Sequence, residues 1–444
     1  MNNTSFKTLG LQDHIVQVTE KLYFKQPTDI QKQAIPLILQ GKSIVGQSQT
    51  GSGKTHAFLL PLLNELDETV ERVQMVVTAP TRELAIQLFE EIKKIRQLAN
   101  KEDDWHARLI IGGLDRERMI RQLSSRTPHI IVGTPGRILD LVDEGTLSIF
   151  HANAFVIDEA DLMLDLKFID KIDALLVRSK KDVQILVFSA TIPRQLNHFI
   201  HKFLRQPETI RIDNETTPET LEHRLIEVKQ GANEEELLIQ LTQMIQPFVA
   251  IVFTNSKEKT EQIGRLLAKE GLHVGMLHGD LSSRERMRVV RGINEQQYEY
   301  IVATDLASRG IDIKGASHVI NVELPKEREF YIHRVGRTAR AGASGVAISF
   351  FTEDDYELIT DLEKQRITFI YSDIKNNQWL EVQHFDRNKA RRKTSSDIDK
   401  TAWKMVKKPK KVKPGYRKKM KQEKERIKKQ LLKEKNRKTG RRKK

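Results

Sequence analysis

Residues Ala154-Phe155-Val156-Ile157-Asp158-Glu159-Ala160-Asp161 put four apolar side chains in succession and then three acids within four positions. That order reads as a buried strand that surfaces abruptly into carboxylates, and few architectures accommodate it. In a parallel α/β sheet the carboxyl ends of the strands border the ligand crevice, so these acids stand where chemistry is done. An Asp there offers the hard oxygen that Mg²⁺ prefers, and an adjacent Glu can orient or deprotonate a water. The same letters also suit an acidic helix start, since Asp and Glu favour a first turn. The surrounding sequence has to decide.

Upstream, a short strand at 42–46 runs into Ser48-Gln49-Thr50-Gly51-Ser52-Gly53-Lys54-Thr55 and then a helix. This is the setting of a phosphate loop: glycines let backbone N–H groups close around phosphates, Lys54 reaches the β/γ-phosphates, and Thr55 ligates Mg²⁺. Ser48 takes the place where such loops usually open with Gly or Ala. Further strands at 73–79, 108–111, 129–132, 154–157 and 183–188 alternate with helices from about Arg82, Arg116, Pro135, 169 and just after Pro193. Repeating βα units of this length mean a parallel sheet flanked by helices. At the strand ends lie Pro80–Ala85, Gly112-Gly113, Thr134–Arg137 and Ser189-Ala190-Thr191. Hydroxyls, arginines and helix N-termini there suit a second phosphate chain, although each alone is an ordinary helix cap. Before the loop, Phe6 and the run Phe24–Gln31 precede a helix start at Thr28, and the Gln31 amide carries the donor and acceptor that an adenine edge needs.

After a polar linker the alternation restarts, with strands near 222–229, 249–253, 273–277, 300–304 and 317–322. No phosphate loop occurs in this half, so it completes the first site rather than carrying its own. Arg334, Arg337 and Arg340 recur every third residue and are expected on one helix face. Beside a nucleotide site with no arginine of its own near the γ-phosphate, they suit an arginine finger supplied by the second domain.

Charge separates the chain further. Residues 387–444 hold 28 Lys+Arg against 5 Asp+Glu, so the overall +15 resolves into +23 for this tail and −8 for residues 1–386. A tail of that composition cannot pack a core and seeks a polyanion. Trp403 and Tyr416 lie among its charges and could stack on bases, and Arg417–Arg437 could become helical when docked. There is no cysteine, which excludes disulfides and thiolate metal sites. The N-terminus lacks a signal-peptide core and no apolar run approaches the roughly 18 residues of a membrane span, so a cytoplasmic protein is expected, and separately a monomer.

Taken together, in this order, the motifs from residue 6 to about 365 resemble the DEAD-box RNA helicases, and among these the cold-shock helicases of Gram-positive bacteria. Asp158-Glu159-Ala160-Asp161 matches the signature letter for letter, as do Pro80–Ala85, Thr134–Arg137, Ser189–Thr191, Ala303–Asp312 and His333–Arg340. The resemblance implies an α/β fold of two tandem RecA-like parallel-sheet domains with a basic, disordered C-terminal tail. The expected divisions are 1–212 for the ATP-binding domain (adenine motif 6–31), 213–221 for a linker, 222–372 for the second domain and 373–444 for the tail. It implies ATP and Mg²⁺ as cofactors. Phe6 would stack on adenine, Gln31 would bond it, and Ser48, Gln49, Thr50, Gly51, Ser52, Gly53, Lys54 and Thr55 would cradle phosphates. Thr55 and Asp158 would hold Mg²⁺, Glu159 would act as general base, Asp312 would meet the ribose, and Arg337 and Arg340 would be the fingers. Ser189, Thr191, Asp161 and His333 would couple the sites, while Arg82, Gly113, Arg137, Thr254 and Thr304 would line the RNA backbone. Tyr23 stands where the family has Gly, and Ser283 where many members have Gln.

The implied activity is RNA-stimulated ATP hydrolysis that closes and reopens a cleft between the domains, parting short RNA duplexes locally without reading sequence. Cold adaptation, ribosome assembly and RNA decay are the expected settings, with ribosomal or RNA-decay proteins as further partners. An ATP-gated clamp that nucleates ribonucleoprotein assembly would carry identical motifs. A DNA translocase is disfavoured by Phe6, Gln31 and the spelling of Asp158–Asp161.

Overall fold

The computed structural model describes residues 5–49, 51–113, 115–204, 207–212, 220–229, 233–308, 311, 313, 315–339, 344–375, 377–382 and 426–427. It divides into two units, Met1–Glu381 and Val382–Lys444. What the sequence suggests for the tail lies outside the described residues, apart from a helical Arg426-Ile427.

The first sheet consists of β1 (Ile44–Gln47), β2 (Met75–Thr78), β3 (Ala107–Ile110), β4 (Ile130–Gly133), β5 (Ala154–Ile157), β6 (Gln184–Ser189) and β7 (Glu208–Arg211). Their order across the sheet is β3-β4-β2-β5-β6-β1-β7, and every pairing is parallel. β2, β4 and β5 are buried at every position, as strands covered by helices on both faces must be. Alternation divides their side chains between two cores: Ala154 and Val156 join one, Phe155 and Ile157 the other. Because all strands run the same way, the residues after β1, β2, β4, β5 and β6 gather along one edge.

The second sheet follows the same plan. It comprises β8 (Leu221–Glu227), β9 (Ala250–Thr254), β10 (Val274–Leu277), β11 (Tyr300–Thr304), β12 (His318–Asn321), β13 (Gly345–Phe351), β14 (Phe369–Lys375) and β15 (Gln378–Glu381). The order is β10-β11-β9-β12-β13-β8-β14-β15, parallel except for β15, which pairs antiparallel with β14. The division expected at 372 therefore cuts through β14, and the sheet runs on to Glu381. Ile374 and Trp379 pack back on the core, and the Arg224 guanidinium lies 4.7 Å from the Trp379 ring. Asn377 turns the hairpin with φ 54°, a left-handed conformation that Asn tolerates better than most residues.

Candidate active site

The loop between β1 and the helix Lys54–Asn64 carries Gly51 at φ 84° and Gly53 at φ 95°. Such angles suit glycine. A Cβ on Gly53 would fall 2.6 Å from Gln31 Nε2 and 2.8 Å from Thr28 Oγ1, so the loop also needs glycine for close approach. Gln31 Nε2 donates to the Gly53 carbonyl at 3.1 Å, and Gln31 Oε1 accepts from the Thr28 N–H at 3.0 Å. Gln31, itself buried, thus fastens the loop to the start of its own helix. Ser48 is buried with Oγ 2.8 Å from Ser52 Oγ. Its hydroxyl is thus turned into the loop. Gln49 is half-buried and Thr50 lies outside the described residues.

Lys54 is buried, donates to the Ser48 carbonyl at 3.1 Å, and pairs with Glu159 Oε1 at 3.2 Å. Burial opposes its charge, yet the carboxylates of Glu159, Asp158 and Asp161 hold the ammonium above its ordinary range. Asp158 follows β5, its N–H donating to the Thr78 carbonyl at 3.1 Å. Burial, and then the neighbouring Glu159 charge, push its carboxyl up to about 7 against the pull of Lys54. Glu159 adopts φ 48°, ψ 54° at the start of the helix Ala160–Asp165, a conformation that costs a side-chain-bearing residue about 1–3 kcal/mol. Strain of that kind is found where backbone geometry aims a functional group. Asp161 Oδ2 accepts from both the Thr191 N–H and its hydroxyl, each at 3.1 Å. Ser189 Oγ accepts from the Asp161 N–H at 3.1 Å and donates to the Thr191 carbonyl at 2.6 Å. The ends of β5 and β6 are thereby stapled together.

These residues fit a divalent cation. Asp158 is a buried hard-oxygen donor whose ionised form lacks solvation, and the half-buried Thr55 hydroxyl opens the neighbouring helix. The free N–H groups of that helix's first turn favour an anion alongside.

Along the same edge, the Arg82 guanidinium covers Gly112 and Gly113: a Cβ there would come 3.1 Å from Nη2 and 3.0 Å from Nη1 respectively. Arg137, half-buried at the start of the helix Pro135–Asp143, stands 3.9 Å from Asp140 and leaves Nε without a protein partner. Arg82, Gly113 and Arg137 thus share the strand-end edge, as their motifs suggest.

A family profile described as "DEAD/DEAH box helicase" matches residues 28–199, and one described as "Helicase conserved C-terminal domain" matches 233–342. The DEAD-box ATP-dependent RNA helicase CshB of Bacillus subtilis (strain 168) is 46% identical over 430 residues, covering 97% of this chain and 98% of its own. CshB of Staphylococcus aureus (strain NCTC 8325 / PS 47) is 40% identical over 87% of this chain and 85% of its own. The chain belongs to the DEAD-box ATP-dependent RNA helicases, enzymes that hydrolyse ATP. Among solved structures, S. cerevisiae Dbp5 bound to RNA and ADP BeF3 superposes with a TM-score of 0.75 at 29% identity, covering 83% of this chain and 95% of that one.

Within this helicase several expected contacts take another form. The helix carrying the arginines ends at Val335, so Arg334 and Arg337 do not share a helix face, and Arg340 lies outside the described residues. Arg334 is 1% exposed and bonds both oxygens of Asp305 (2.6 and 2.7 Å), Asn255 Oδ1 (2.7 Å) and the Glu323 carbonyl (2.6 Å). It is a strut of the second sheet. Arg337 is buried and donates to the Ile311 carbonyl at 3.0 Å, and His333 is half-buried. Asp312 is outside the described residues. Thr254 is wholly buried with its hydroxyl 2.7 Å from Thr260 Oγ1, which removes that hydroxyl from any backbone track, whereas Thr304 is half-buried at the end of β11.

Phe6 is 5% exposed within the core, 6.2 Å from Phe24. The more accessible ring is Phe24, half-buried and edge-on to His56 at 4.8 Å. Sequence reasoning also missed Glu83 and Arg286. Arg286 Nε donates to Glu83 Oε1 at 2.6 Å and its Nη2 to the Ala307 carbonyl at 2.8 Å, joining the two sheet-bearing halves. An acid inside the otherwise recognisable Pro80–Ala85 segment was the available signal, without any indication of its partner.

Proposed function

We propose that this helicase hydrolyses ATP with Mg²⁺ at the carboxyl ends of the first sheet and uses the cycle to part short RNA duplexes locally, in the bacterial cytoplasm. The observation that carries this is the cluster of buried Lys54 and Asp158 with half-buried Glu159 beside the glycine loop. Lys54 and the loop N–H groups hold the β/γ-phosphates. Thr55 and Asp158 hold the cation, which when bound neutralises phosphate charge. Glu159 takes the proton of the attacking water, and Arg337, with Arg340, meets the charge that develops across the cleft. Phe24, backed by Phe6, stacks on the adenine that Gln31 bonds, and Asp312 meets the ribose. Arg82, Gly113, Arg137 and Thr304 hold the RNA backbone, and the Asp161–Ser189–Thr191 staple with His333 links the two occupancies. The working parts are a nucleotide domain of residues 1–212, a linker, a second domain that we extend to 381, and a basic tail that adds RNA affinity. The yeast homologue solved with RNA and ADP BeF3 supports RNA as the polymer. Cold adaptation, through ribosome assembly or RNA decay, is the physiological setting this reading favours.

The test is Glu159→Gln. It removes the base while leaving both cradles, so steady-state turnover falls by at least the 10²–10⁴-fold of general-base loss while ATP and RNA still bind. Wild-type turnover in the variant would overturn the assignment. A duplex-displacement assay on the wild-type protein distinguishes unwinding from a clamp.

A further inference from the structure

No motif above makes use of the outer face of the helix Ser283–Asn294. Arg284, Met287, Arg288 and Arg291 recur at i, i+3, i+4 and i+7, which makes them one stripe. All four are exposed, Met287 by 54%. Glu285 is turned back into the helix cap, accepting from the Ser282 N–H at 2.9 Å, so it does not offset the stripe. Arg291 reaches Glu295 at 3.5 Å but stays 80% exposed, a contact worth little. Among the described residues Arg284 and Arg288 meet no carboxylate. Arg284 also stands in the first turn, where the helix dipole disfavours a cation by about 0.3–1 kcal/mol. Folding gives no reason for an arginine there, and a merely solvated face would mix its signs, the more so on a body of net −8.

Position supplies the partner. Arg286 anchors the first turn of this helix to Glu83, whose chain neighbour Arg82 covers Gly112-Gly113 on the proposed RNA path. From there the stripe runs about 10 Å, at 1.5 Å per residue, long enough to follow a strand over more than one phosphate. We propose that Arg284, Met287, Arg288 and Arg291 bind the phosphodiester backbone of the RNA strand where it leaves the cleft, with Met287 against its sugars. This rests on the cleft being the RNA site.

Full-length protein with Arg284, Arg288 and Arg291 all changed to Gln is compared with wild type by fluorescence anisotropy, in the presence of a non-hydrolysable ATP analogue. The probes are a single-stranded RNA that only fills the cleft and the same RNA extended at both ends. The variant should bind the short RNA like wild type and the extended RNA more weakly. Its log–log salt slope on the extended RNA should flatten by about 2, so the wild-type advantage shrinks roughly fifteenfold between about 50 and about 200 mM salt. A second variant with Lys at the three positions should keep the wild-type slope. Equal binding of the extended RNA by Gln variant and wild type, or equal loss on both RNAs, overturns the stripe. Wild-type protein that binds neither RNA in a nucleotide-dependent way removes instead the RNA reading of the cleft.

Discussion

Among the residues in left-handed backbone, Glu159 and Tyr23 occupy it for opposite reasons. Glu159 does so where β5 gives way to a helix, and the strain points its carboxylate at Lys54, 3.2 Å away. Tyr23 has φ 59° and is 90% exposed, so it gains no packing in return. A Gly at this position would adopt such angles freely. Tyr23→Gly is therefore expected to stabilise the protein by roughly 1 kcal/mol, the strain relieved outweighing the entropy a glycine adds to the unfolded chain. Urea denaturation of both proteins measures it. An unchanged or lower midpoint would mean that the exposed ring makes a contribution of its own. The same comparison explains what the resemblance conveyed here: Tyr23 was recognisable as a departure, but its conformation, and hence its cost, became visible only with the backbone.

At the scale of elements, polar links tie the second sheet to the helix Arg328–Val335. One is Arg334 with Asp305, and another is His223 on β8, whose Nδ1 lies 2.9 Å from the Tyr331 hydroxyl. Burial pushes the His223 imidazole down to about 4 from an ordinary 6.5. The folded protein thus keeps it neutral where the unfolded chain would protonate it. Stability from this group is intact above pH 6.5 and is lost as pH falls from about 6.5 to about 4, by on the order of 3 kcal/mol. Burial likewise lowers His106, His129 and His318, so the whole chain weakens over part of that range. The expected result is a urea midpoint that falls less steeply with acidification in His223→Gln than in wild type. Parallel pH profiles would show that His223 is not buried neutral. Nothing in the sequence marks this histidine. Its environment arises from β8 packing beneath Tyr331 and Phe369, residues more than a hundred positions away.

For the molecule as a whole, charge and chemistry are segregated. Lys54, Asp158, Glu159 and the Glu83–Arg286 link belong to a body of net −8, and the +23 tail contains none of the motifs that match the family. Deleting 387–444 should raise the RNA concentration needed for half-maximal ATPase and flatten its salt dependence, by about 0.7 in log–log slope for each phosphate the tail no longer neutralises. Turnover at saturating RNA should change little, since Lys54, Glu159 and Arg337 remain. ATPase titrations at several salt concentrations measure both quantities. If truncation leaves half-saturation and slope unaltered, the tail serves a protein partner instead.

The sequence alone determined the layered α/β plan and the place of the glycine loop and of the Asp158–Glu159 pair at strand ends. Those features are local: β1, its glycine loop and Lys54 are consecutive, and β5 runs directly into Asp158 and Glu159, so strand–loop–helix geometry places them before any packing is known. Only the tertiary structure decided which polar groups remain available. Arg334 became a strut by bonding Asn255 across 79 positions of chain, and Arg286 found Glu83 across 203. Each of those outcomes depends on which strands and helices come to lie side by side. Such pairings join residues far apart in the chain, so local spacing carries no record of them.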